Sequence, residues 1–182
     1  MELNTAGLLR MSISRYGRFT PPAAAVNHRR TMKLIDIIDA TPIPFGYRIA
    51  FLTNFYREPL LRQMEREYGI IRPEWTVLIC LNFRDGTTAK DICEITEQPS
   101  NTVSRAVTAL TEKGLITRKT DKQDARRSLL FITAVGQQLY DNVMQIFISG
   151  ENKMISCLSP KEHAQLDLLL EKLCRHVPKW TE

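Results

Sequence analysis

Between positions 100 and 105 the chain places Ser100, Asn101, Thr102, Ser104 and Arg105. That set has the chemistry to read the edges of DNA bases. An arginine guanidinium forks onto guanine and an asparagine amide pairs with adenine, each worth roughly 1–3 kcal/mol of discrimination. The small hydroxyls let a backbone lie close to a duplex and bond its phosphates. A second set follows downstream: Lys119, Lys122, Arg126 and Arg127, with Asp121 and Asp124 among them. Cations at the tip of a loop can reach phosphates or a narrow minor groove, where negative potential is enhanced. Asp124 is out of place against a polyanion, and its expected role is to pair with a nearby arginine and fix the loop.

Both sets need elements to hold them. Thr88 followed by Asp91 has the spacing of a capping box, with Ile92, Cys93 and Ile95 facing inward. Thr96 to Pro99 breaks that short helix. Ser100 is expected to cap the next one, which runs to about Lys113 and ends at Gly114. Within it Val103, Val107 and Leu110 recur at helical spacing and form one core-facing stripe. Two short helices with a tight break make a helix-turn-helix, the second presenting its outer N-terminal half. Leu115–Lys119 and Ser128–Thr133 then read as two strands around a polar turn, a β-hairpin wing.

The flanks are helical as well. Residues 34–40 form a short apolar stretch, and Tyr47 to Tyr68 give a long helix with a broad apolar face that stops near Gly69. Arg72-Pro73 opens another, with proline in the first turn. Gln137 to Leu158 continues as a long helix. Ser159, Pro160 and Glu162 start a last one, striped by Leu166, Leu169, Leu170, Leu173 and Val177. These helices carry more apolar surface than a wing domain can cover, and a second copy of the chain is the simplest cover. Folding back on its own domain is the alternative.

Charge distribution agrees with this division. The 182 residues carry a net +5, with 43% hydrophobic and 25% charged residues, an ordinary globular balance. Residues 99–133 hold seven bases against three acids, whereas residues 34–98 hold seven against ten. A basic patch on an otherwise balanced chain is the footprint of a polyanion partner. Residues 1–33 hold six bases and one acid. They read as a flexible basic arm, or as an over-long start with Met11 or Met32 as the true first residue. No apolar run approaches the roughly 20 residues of a membrane span.

The stretch from Gly86 to Gly136 resembles the MarR (multiple antibiotic resistance regulator) family of bacterial transcription factors. The matching pieces are Thr102-Val103-Ser104-Arg105, Glu112-Lys113-Gly114-Leu115-Ile116 with Arg118, and Asp121 to Ser128, closing with Ile132-Thr133 and Gly136. Asp121, Asp124 and Arg126 fit the family's D-x-R-D-x-R pattern, while Gln123 stands where arginine is usual. The resemblance implies a mainly α fold with a small β wing, in which a winged helix-turn-helix domain is flanked by N- and C-terminal dimerisation helices. The expected division is a basic arm at 1–33, dimerisation helices at 34–72, a DNA-binding domain at 73–136 and further dimerisation helices at 137–182. It implies a cytoplasmic homodimer on palindromic double-stranded DNA, most simply a repressor released by a small effector. Aromatic or phenolic acids, or their thioesters, are the expected effectors. Tyr47, Phe51, Phe55 and Trp75 are candidate lining residues, with Arg48 as a carboxylate partner; ordinary packing competes as an explanation of each.

Other classes find little support. No G-x-G-x-x-G, P-loop, G-x-S-x-G or H-E-x-x-H pattern occurs, and three histidines leave little acid–base machinery. An enzyme is not expected, and no cofactor or metal is implied. The four cysteines lack any C-x-x-C spacing and read as reduced, mostly buried thiols. A winged helix that binds another protein instead of DNA is the remaining alternative, and the basic wing argues against it.

Overall fold

The computed structural model describes residues 33–180, so the basic arm expected at 1–33 lies almost wholly outside the described residues. Among these residues the chain forms α1 (Leu34–Ala40), α2 (Pro44–Tyr68), α3 (Arg72–Phe83), β1 (Thr87–Thr88), α4 (Ala89–Thr96) and α5 (Ser100–Glu112). There follow β2 (Ile116–Thr120), β3 (Ser128–Ile132), α6 (Ala134–Ile155), α7 (Pro160–Cys174) and a 3-10 turn at Val177–Lys179. Two compact units divide the chain between Phe55 and Tyr56, within α2.

The first unit contains α1 and the start of α2. Its apolar side chains are largely exposed, among them Leu34, Ile35, Ile37, Ile43, Phe45 and Ile49, while Ile38 is buried. Arg48 reaches back to Asp39 at 3.0 Å, and Phe51 and Phe55, one helical turn apart, meet in a tilted contact with ring centroids 4.6 Å apart.

The second unit holds the core. Leu78 and Leu81 of α3, Ile92 of α4, Val103, Val107 and Leu110 of α5, Ile116 of β2, Leu130 of β3 and Val143 of α6 are buried together. Trp75 joins them, stacked on Tyr140 at 5.0 Å and on Phe147 at 5.6 Å. The stripe predicted for α5 therefore faces the core, with Ala106 added to it. The expected boundaries hold to within a few residues because their local chemistry is strong. Thr88 accepts from the Asp91 N–H while the Asp91 carboxylate accepts from the Thr88 N–H. Gly69 and Gly114 adopt left-handed backbone, φ 63° and 69°, where each ends a helix.

Three strands form one antiparallel sheet in the order β1-β3-β2, with Thr87 opposite Leu130 and Arg118 also opposite Leu130. β1 is two residues long and escapes sequence reading. It exists because the turn before it is tied to β3: the Gly86 N–H donates to the Leu130 carbonyl, and Asp85 accepts from the Ile132 N–H at 2.9 Å. Thr133 is not strand but the N-cap of α6, its hydroxyl accepting from the Gly136 N–H.

The expectation that the cysteines are mostly buried needs correcting. Cys80 and Cys93 are half-buried, but Cys157 and Cys174 are exposed, the latter on α7, a helix with no buried residue. Among the described residues no helix is long and apolar enough to cross a membrane, and no cluster of His, Cys, Asp or Glu could hold a metal ion.

Candidate nucleic-acid interface

With Val103, Ala106, Val107 and Leu110 buried, helical geometry turns the other face of α5 to solvent. Ser100, Asn101, Ser104 and Arg105 are exposed and Thr102 is half-buried. Asn101 turns its amide oxygen onto the Thr102 N–H at 2.8 Å, which leaves its NH₂ free. Ser100 is not the cap expected of it. Pro99 takes that position, and its carbonyl accepts from the Thr102 and Val103 N–H groups. Proline is extended there and pre-sets the chain for the turn that follows.

The wing stands beside this helix. Arg118 of β2 donates to the Thr108 hydroxyl at 3.2 Å, fastening the hairpin to α5. Lys122 and Arg126 are exposed at the tip, and neither side chain makes a hydrogen bond or ion pair among the described residues. Lys119 lies over the Phe131 ring at 4.7 Å, a cation–π contact that orients its ammonium. Both expected loop-shaping aspartates shape the loop, by different means. Asp121 accepts from the Gln123 N–H, and Asp124 accepts from the Arg126 N–H, as side chains do in Asx turns. Asp124 makes no ion pair with an arginine among the described residues; its bond is to its own turn.

Arg127 occupies a different place from the one expected. Its guanidinium lies 4.0 Å from Asp121 and 4.0 Å from Asp91 of α4. It joins the wing to the helix-turn-helix instead of projecting from the tip. Asp91 was legible only as a capping acid; the sequence separation hid its second partner. Hydrogen bonds from Thr88 hold the Asp91 carboxyl below the usual aspartate range, with Arg127 and Arg84 adding to the effect. A group depressed in the folded state contributes stability above its unfolded pKa and loses it as pH falls through the folded value. The stability advantage over Asp91→Asn is therefore expected in full at neutral pH, and should shrink as pH falls below about 4 and be gone once it has passed the depressed folded value. Melting curves of both proteins across that range check this; a gap that persists in acid would refute it.

Of the residues expected around an effector, Trp75 lies in the second unit and Tyr47, Arg48, Phe51 and Phe55 in the first. Trp75 lines a cavity of about 410 Å³, with Tyr56, Leu61, Arg72, Ile79 and Phe147 among its other walls. Arg48 pairs with Asp39, and Phe55 stays exposed beside Phe51. Burial also pushes the Cys80 thiol up, away from the reactive thiolate form.

Two core-packed helices joined by a tight turn, a polar face of the second open to solvent and an attached β-hairpin define a winged helix-turn-helix. The profile of the MarR family matches residues 68–127. The HTH-type transcriptional regulator YxaD of Bacillus subtilis is 31% identical over 124 residues, covering 67% of this chain and 87% of that protein. The HTH-type regulator BilQ of Clostridium symbiosum is 24% identical over 128 residues, 68% of this chain and 88% of its own length. Among solved structures, a Staphylococcus aureus MepR–DNA complex has a TM-score of 0.62 at 27% identity, covering 72% of this chain and 96% of that one. A MarR transcriptional regulator from Methanosarcina mazei shares the fold, with a TM-score of 0.66 at 21% identity over 74% of this chain and 96% of that one.

The chain belongs to the MarR family of transcriptional regulators. It is a regulator with a DNA-binding fold and not an enzyme.

Proposed function

We propose that the protein is a homodimeric, sequence-specific DNA-binding repressor that leaves a palindromic operator when a small effector binds. One observation carries the reading: the polar, exposed half of α5 adjoins a wing whose tip bears two unpaired cations, Lys122 and Arg126. Residues 73–136 do the reading. Ser100, Asn101, Thr102, Ser104 and Arg105 face the bases, and Lys119, Lys122 and Arg126 face phosphates or the minor groove. Arg127 supports the wing from behind. The relative MepR is described in complex with DNA, which agrees with this role.

Dimerisation through residues 34–72 and 137–182 is supported by uncovered apolar surface. Leu168, Leu169, Leu170 and Leu173 of α7 are all exposed, as are Leu34, Ile35 and Ile37 of α1. Contiguous apolar surface of this kind usually marks an interaction site. Two-fold symmetry then matches half-sites about one helical turn apart. The Trp75 cavity, with aromatic walls and Arg72 beside them, suits an aromatic or phenolic acid or its thioester. Such acids are expected to raise the melting temperature by mass action.

The test is fluorescence anisotropy on a duplex enriched by the wild-type protein, repeated across salt concentrations. Arg126→Ala is expected to weaken binding to all sequences and to lower the slope of log K against log salt by about one. Arg105→Ala should instead cost roughly tenfold at a single base position and relax preference there. A folded dimer that binds no duplex at low salt ends this reading.

A further inference from the structure

The end of α5 that carries Ser100 to Arg105 is lightly fastened. Its N-cap, Pro99, makes no side-chain capping bond. Glu97, two residues earlier, closes α4 in left-handed backbone at φ 54°, a conformation that side chains disfavour. The opposite end of the helix is pinned: Lys113 reaches the buried Glu74 and the Gly69 carbonyl. Movement of α5 would therefore be a tilt about its C-terminal end.

Beside the buried Val103, one polar side chain ties this end to the scaffold. Gln98 Nε2 donates to Thr76 Oγ1 at 3.3 Å, across 22 residues of sequence. The Thr76 hydroxyl in turn donates to the Arg72 carbonyl at 3.1 Å. Gln98 Oε1 is buried and has no hydrogen-bond partner. Buried side-chain acceptors are rarely left so, and those that are ask for a reason. Here the carboxamide is drawn inward by its NH₂ group alone. Thr76 is also a wall residue of the Trp75 cavity, together with Arg72. A hydroxyl has one proton and two lone pairs, so the cavity wall and the recognition helix share a single small group.

We propose that Gln98 is a positioning residue for DNA reading, with Thr76 as its anchor, so that the reading end of α5 takes its orientation from the cavity wall. This rests on the DNA-binding role set out above and names the residues that regulate it. A cavity occupant that turns the Thr76 side chain, or that donates to the lone pair Gln98 uses, releases Gln98. The first turn of α5, with no cap of its own, follows.

The experiment uses the full chain and four variants: Thr76→Val, which keeps the shape and removes the hydroxyl, Thr76→Ser, which keeps the hydroxyl, Gln98→Leu, and the double variant Thr76→Val/Gln98→Leu. Two quantities are read: affinity for a duplex enriched by wild type, and amide exchange of Thr102 and Val103 in the free protein. Thr76→Val and Gln98→Leu are each expected to weaken binding between about twofold and tenfold, the range of one neutral hydrogen bond. Each should speed exchange at Thr102 and Val103 by a similar factor while exchange at Leu110 stays slow. Thr76→Ser should match wild type, and the double variant should lose no more than the worse single one. Unchanged exchange at Thr102 and Val103 in both single variants overturns the tether, whatever the DNA result. Faster exchange with wild-type affinity overturns the positioning role. Failure of the wild-type chain itself to bind duplex overturns the DNA-binding role and this proposal with it, and that failure is visible before any variant is compared.

Discussion

Gly136→Ala is expected to destabilise the protein by about 3 kcal/mol, the upper range for overpacking a tight site. For a chain of this size that lowers the melting temperature by roughly 10 °C. Gly136 sits in the first turn of α6, its N–H bonded to the Thr133 hydroxyl at 3.0 Å. An added Cβ would land on the Leu115 carbonyl oxygen and press on Ile132 Cγ1. Neither neighbour yields easily. The Leu115 carbonyl already accepts from the Thr133 N–H at 3.0 Å, and Leu115 leads directly into β2. Relief would have to shift the junction of α5, β2 and α6 together. A thermal melt within a degree or two of wild type would show that this junction is softer than its contacts imply.

Lys113→Ala should cost about 2–3 kcal/mol. Glu74 keeps only 4% of its side-chain surface exposed, and Lys113 Nζ lies 2.8 Å from both of its carboxylate oxygens. Removing the lysine leaves a buried carboxylate with one remaining donor, the Ile71 N–H. Breaking a fully buried pair in this way costs about 3–5 kcal/mol. Lys113 is 39% exposed, so water can partly replace it and the loss falls below that range. Removing both charges at once should hurt less than removing the lysine alone. Urea titrations of Lys113→Ala, Glu74→Gln and the double variant measure the coupling; additive losses would mean that the two side chains act independently.

How much of this was legible depended on range. Helix ends written in local code were readable: Thr88 with Asp91, Ser159 with Glu162, Pro73 in a first turn, Gly114 past a last one. So was the α5 stripe, since period 3.6 survives in one sequence. Contacts across the fold were not. Arg127 looks like one more wing cation until Asp91, 36 residues earlier, lies beside it. Trp75 was a reasonable pocket residue, yet nothing local distinguishes it from the wall it shares with Tyr140 and Phe147. Arg48 reads as a partner for an effector carboxylate, and the sequence does not show that Asp39, on the preceding helix, lies beside it. The buried Glu74 drew no notice because its lysine is 39 residues away.

The place of β3 in the sheet bears on how the protein fits its target. A hairpin hung from one strand can swing like a flap. Here the inner strand has neighbours on both sides, β1 and β2, and further ties at Gly86, Asp85 and Thr133. The wing therefore moves with the body of its domain, and only residues 121–127 beyond the paired strands are left to flex. In the proposed dimer, fit to different half-site spacings must then come from how far apart two whole domains stand.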